Sequence, residues 1–129
     1  RMSACVLDAS ALLALLNAES GNEQVVEAMS AGAAISLVNL SEVVAKLSEA
    51  GMPEAVIHKT LDSLGLDMVS FDAALAYQAG LLRPLTRHAG LSLGDRACLA
   101  LAKNLGLPAL TADRAWESLS LGIVIRVIR

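Results

Sequence analysis

Aromatic residues are nearly missing from this sequence, which has one Phe, one Tyr and one Trp, at Phe71, Tyr77 and Trp116. Three rings are too few for the stacking platforms on which single-strand-binding modules hold bases. Basic charge is also scarce: ten Lys and Arg face thirteen Asp and Glu, a formal net charge of −3, which argues against a broad basic surface for nucleic acid. Long apolar runs are absent although 55% of the residues are hydrophobic. Stretches such as Ala11 to Leu16 fall well short of the roughly 18 residues a membrane span needs. The opening segment lacks a basic n-region and Asp8 breaks its apolar part, so it does not read as a signal peptide. Arg1 ahead of Met2 reads as an addition before the natural start.

Other chemistries drop out because their residues are missing. There are two cysteines, Cys5 and Cys98, each in an apolar segment without metal-ligand spacing, as expected of small buried hydrophobes in a reducing cytoplasm. The two histidines, His58 and His88, belong to no H-E-x-x-H or Cys/His arrangement, which leaves zinc catalysis without support. No glycine-rich phosphate loop occurs, so nucleotide binders are disfavoured.

What remains is a chain of 129 residues, enough for one domain with a sizeable core, assigned here to 1–129. Short apolar runs at Ala4 to Leu7, Ala33 to Val38, Leu66 to Ser70, Ala109 to Thr111 and Gly122 to Val127 read as strands, that at Leu66 to Ser70 a weak one. Between them lie helical patterns at Ala9 to Leu16, Glu23 to Ser30, Asn39 to Ala50, Pro53 to Gly65, Asp72 to Leu82, Asp95 to Leu105 and, more briefly, Asp113 to Ser118. Pro53 is expected at a first helical position, Pro84 is expected to stop or interrupt its helix, and Gly106 is expected to cap one. Leu85 to Leu93 carries no clear pattern. Strands alternating with helices predict an α/β domain with a mainly parallel sheet covered on both faces, whose ligands lie beyond the carboxyl ends of its strands.

Four acids fall where apolar runs give way to helices: Asp8 in VLDAS, Glu42 in NLSE, Asp95 in LGDR and Asp113 in LTAD. Each has an ordinary role open to it. Asp8 and Asp113 can N-cap the helices they precede, and Asn39 with Glu42 and Ser92 with Asp95 have capping-box spacing. Capping does not require an acid at four starts whose strands deliver them to one rim. Two carboxylates about 5 Å apart repel by roughly 3 kcal/mol at an effective dielectric near 20, so such a cluster needs protons or a cation. Oxygen ligands without His or Cys favour a hard ion, Mg²⁺ or alternatively Mn²⁺. Arg96 and Arg114 directly follow two of these acids, and guanidinium forks suit phosphate, as solvated faces and ion pairs also suit them. Ser10 and Thr111 lie near the same rim, with turn and cap duties equally open to them.

In order and approximate separation, VLDASALLALL, NLSEVVAKL, LSLGDRACLALA and LTADRAW resemble the four acidic motifs of PIN domains, most closely those of VapC-type toxin ribonucleases, over essentially the whole chain. The resemblance implies a Rossmann-like PIN fold, usually paired as a homodimer. It implies a Mg²⁺-dependent endoribonuclease in which Asp8 and Asp95 are the principal ligands, Glu42 completes or orients the site, and Asp113 binds the metal or its water. Substrate contacts would fall to Ser10, Arg96 and Arg114. The implied partners are RNA and a small VapB-like antitoxin, with no membrane. Two rivals stand beside it. In an aspartyl-phosphate phosphotransfer domain Asp8 would be phosphorylated, but Ser10 stands where a D-x-D motif needs its second acid. The other is a non-catalytic PIN-like binding module, against which the full acidic set argues; a PIN nuclease acting outside any toxin–antitoxin pair is a variant of the main reading.

Overall fold

A computed structural model describes residues 2–129; the expectation about Arg1 lies outside them. Five strands, β1 (Cys5–Leu7), β2 (Ala33–Ser36), β3 (Asp67–Val69), β4 (Ala109–Thr111) and β5 (Ile125–Val127), form one sheet in the order β3-β2-β1-β4-β5, and every pairing is parallel. Seven α-helices accompany them: α1 (Ala9–Leu16), α2 (Asn22–Ser30), α3 (Leu37–Glu49), α4 (Glu54–Asp62), α5 (Ala73–Leu81), α6 (Arg83–Thr86) and α7 (Leu93–Leu105), with short 3₁₀ turns at Arg87–Ala89 and Arg114–Ser118. The α/β class and parallel sheet expected from the alternation are what the chain forms.

Period-two burial divides the core between the two faces of the sheet. Cys5 and Leu7 of β1, Ile35 of β2 and Leu110 of β4 pack with Leu12, Val25, Val43 and Ile57 from α1 to α4. Val6, Ala34 and Ala109, pointing the other way, pack with Leu75 of α5, Leu99 of α7 and Trp116. Small residues in the central strands let the helices approach closely, and α7, apolar through Ala97–Ala102, is the most buried helix. Both cysteines are buried and free.

Several boundaries differ from expectation for local reasons. β2 ends at Ser36, whose hydroxyl accepts from Val38 N at 3.2 Å, so α3 begins at Leu37 and Asn39 lies inside it. Asn39 and Glu42 are therefore not a capping box. Pro53 is the N-cap of α4, one residue before the position expected for it. Pro84 falls in the first turn of α6, where its missing N–H costs nothing, and the chain continues helical to Thr86. α7 starts two residues early, at Leu93, because Ser92 and Asp95 form a complete capping box, and Gly106 ends it in the left-handed region at φ 66°.

Candidate metal centre

The chain runs outward from β1 through β2 to β3, then returns to lay β4 and β5 on the other side of β1. The switch in direction therefore lies between β1 and β4, and a crevice opens there beyond the strand ends. Asp8 follows β1 directly, and Asp113 stands two residues past β4. Glu42, in the second turn of α3, and Asp95, in the first turn of α7, close the same cleft. All four acids line one cavity of about 230 Å³, together with Ala9, Ser10, Leu13 and Lys46. Two grooves of about 450 and 520 Å³, between α5 and α7 and between α3 and α4, are larger, but neither gathers the four acids.

Asp8 is the anchor of the site and is only 3% exposed. Its Oδ1 accepts from Ala11 N at 2.8 Å, the N-cap bond of α1. Thr111 Oγ1 donates to Oδ2 at 2.6 Å, and the Ser10 hydroxyl lies 2.8 and 2.9 Å from the two oxygens. Ser10 in turn accepts from Ala112 N, and Thr111 accepts from Asp113 N. Side chains from the ends of β1 and β4 thus form one network around a single carboxylate. Burial nevertheless raises Asp8 from the ordinary 3.8 to about 6; the hydrogen bonds from Thr111, Ala11 and Ser10 oppose the shift, and the negative charge of Asp95 adds to it.

The other three acids are held more loosely. Asp95 accepts from Ser92 N at 2.9 Å within its capping box, and Asp113 accepts from Ala115 N at 2.9 Å as the cap of the last 3₁₀ turn. Glu42 accepts from the Asn39 amide at 2.9 Å. Capping and lining the cleft are compatible duties, because each cap bond occupies one oxygen face and leaves others open. The negative field reaches beneath the cleft as well. Cys98, sealed under it on α7, has its thiol pushed well above the usual range, first by burial and then by Asp8, Asp95 and Glu42.

An all-oxygen set on a pre-ordered rim fits a hard divalent cation. Among the described residues no three His, Cys, Asp or Glu side chains form a ready-made cage.

Ser10 is at the cleft with its hydroxyl turned to Asp8. Arg96 is engaged elsewhere: its Nη1 donates to Ala79 O on α5 at 3.0 Å, and its Nε is buried without a partner. Arg114 is exposed and donates from Nε to Arg129 O at 3.0 Å. The sequence reading missed Lys46, which reaches the cleft from α3 one turn after Glu42. The four-residue spacing was its only signal.

The sequence profile of the PIN domain family matches residues 5–120, and the chain belongs to that family. No curated protein matches it. Solved structures share its fold at low identity. A toxin–antitoxin complex from Klebsiella pneumoniae is 22% identical with a TM-score of 0.74, covering 94% of this chain and 96% of that one. DNA-bound VapBC from Salmonella typhimurium is 20% identical at a TM-score of 0.74, covering 97% and 98%. VapC20 from Mycobacterium tuberculosis, described as a sarcin-ricin loop cleaving toxin, is 17% identical at a TM-score of 0.74, covering 94% and 99%.

Proposed function

We propose that this PIN domain is a divalent-cation-dependent endoribonuclease, the toxin of a VapBC-like toxin–antitoxin pair, with Mg²⁺ as its ion and Mn²⁺ as a substitute. The observation that carries this reading is the convergence of Asp8, Glu42, Asp95 and Asp113 from four chain segments on one cleft at the switch point of the sheet. Support for RNA as substrate comes from the fold shared with a toxin that cleaves the sarcin-ricin loop. Support for a protein antitoxin comes from the complexes in which other structures of this fold were solved.

Bound in the cleft, the cation would supply water activation and charge stabilisation at the scissile phosphate. Asp8 and Asp95 would hold it, with Glu42 and Asp113 completing the site or orienting its waters. Ser10 and Thr111 fix Asp8 so that its carboxylate does not swing when substrate enters. Lys46, which makes no ion pair among the described residues, is available to a phosphate oxygen of the RNA. Arg114, exposed beside Asp113, suits a flanking phosphate better than Arg96, whose guanidinium is committed to α5. Hydrolysis by water needs no 2′-hydroxyl nucleophile and leaves 5′-phosphate and 3′-hydroxyl ends. The protein would work in the cytoplasm as a homodimer.

The test is cleavage of structured RNAs by purified protein with Mg²⁺, with EDTA, and after Asp8→Asn or Asp95→Asn. Cleavage should require the cation and both acids; activity undiminished by EDTA and by either substitution would exclude the mechanism. Growth arrest on expression, relieved by co-expressing the product of a neighbouring small reading frame, tests the toxin assignment separately.

A further inference from the structure

We infer that Asn39 and Gly94 act together as positioning residues, fixing the Glu42 carboxylate toward the cation site; this rests on the metal-site reading above. Glu42 is exposed on α3, and a solvated glutamate on a helix ordinarily samples several rotamers. Here two features restrict it from different elements. Asn39, one turn earlier and only 1% exposed, donates from Nδ2 to Glu42 Oε1 at 2.9 Å and to Gly94 O at 2.9 Å. Both amide protons are thus spent, one on the carboxylate and one on the first turn of α7. Gly94 forms the wall behind it: a Cβ there would lie within 2.6 Å of Glu42 Cδ. The carboxylate therefore rests against the first turn of α7 only because position 94 has no side chain.

A purely structural account of Asn39 fits poorly. Its Oδ1 is buried without a partner, a cost that an apolar side chain of similar size would avoid. The residue keeps an unsatisfied acceptor while one donor holds the Glu42 carboxylate and the other ties it to the Gly94 carbonyl of α7. Supports of this kind typically change metal affinity by 10–100-fold when removed.

The experiment measures Mn²⁺ binding from the electron paramagnetic resonance signal of free ion. It compares the unaltered protein, Asn39→Leu and Gly94→Ala, each also in a Glu42→Ala background. Affinity should fall about tenfold in either single variant. It should fall no further when Glu42 is already absent, because both residues act through that carboxylate. Equal losses in the Glu42→Ala background, or no loss in the single variants, would overturn the inference. The two substitutions lie on different elements, one inside α3 and one on α7, so a folding defect in one leaves the other informative. A second readout needs no metal. The Asn39 side-chain amide protons should exchange slowly with solvent, and one should shift on Glu42→Ala; a freely exchanging pair would refute the clamp. Unaltered protein that binds no Mn²⁺ would instead overturn the metal reading, and the amide spectrum would then decide the clamp alone.

Discussion

Thr111 Oγ1 donates to Asp8 Oδ2 at 2.6 Å, joining the end of β4 to the end of β1 across the switch point of the sheet. Both side chains are buried, so the bond is made where water cannot replace it. Thr111→Val keeps the shape and removes the donor. It also takes the acceptor from Asp113 N. Loss of a buried hydrogen bond to a charged group costs about 1.5–3 kcal/mol. Because the bond favours ionised Asp8, the cost should be larger at pH 8 than at pH 5. Denaturant melts of both proteins at the two pH values measure it; equal stabilities at pH 8 would remove Thr111 from the account.

Asp8→Asn should inactivate the protein, by on the order of 100-fold or more, yet stabilise it when no divalent ion is present. The folded-state pKa of about 6 lies above the ordinary 3.8, so the folded protein holds a proton that the unfolded chain releases. That contribution to stability is complete below pH 3.8 and is lost as pH rises through 6. At pH 8 the difference amounts to about 3 kcal/mol in favour of a neutral side chain, as an upper figure. Thermal melts in EDTA should show the variant above the parent at pH 8, with the gap closing toward pH 4. A parent more stable than the variant across the whole range would contradict the buried-charge argument.

Much of this site was legible in the sequence because short-range chemistry and topology agreed there. Asp8, Asp95 and Asp113 each follow or open a helix through a side-chain cap, and the Ser92–Asp95 box forms as its spacing indicates. The start of α3 was obscured by the apolar run Ala33 to Val38, in which strand and helix look alike until Ser36 caps the helix. That displacement hid the role of Asn39, which reads as a cap and is in fact an interior clamp. Arg96 shows the limit of adjacency. Successive helical residues point about 100° apart, so following Asp95 sends Arg96 toward α5 and away from the cleft. Lys46 was invisible for the converse reason, since its place beside Asp95 and Asp113 depends on how α3 packs against α7.

Proton competition at Asp8 should make cation binding weaken with acidity. With a metal-free pKa of about 6, the fraction ionised falls roughly tenfold from pH 7 to pH 5, and apparent affinity falls by about the same factor from this group alone. Titration calorimetry with Mg²⁺ or Mn²⁺ at the two pH values checks it, and binding should release protons near pH 6. Affinity independent of pH over that interval would mean that Asp8 is not a ligand.

Lys46→Ala separates substrate binding from cation binding. Among the described residues Lys46 is the one cationic residue lining the acidic cavity, so removing it deepens the negative field that both ligands meet, with opposite consequences. The divalent ion should bind at least as tightly as before. RNA should bind less tightly, raising KM several-fold with a smaller change in kcat, because a phosphate contact made equally in the ground and transition states is lost. The slope of log affinity against log salt should also become shallower by about 0.7, the value for one phosphate contact on a single strand. Filter binding of Asp95→Asn protein, expected to bind RNA without cleaving it, with and without the second substitution, measures that slope directly. An unchanged slope together with weakened cation binding would recast Lys46 as a support of the acidic cluster, with no contact to RNA.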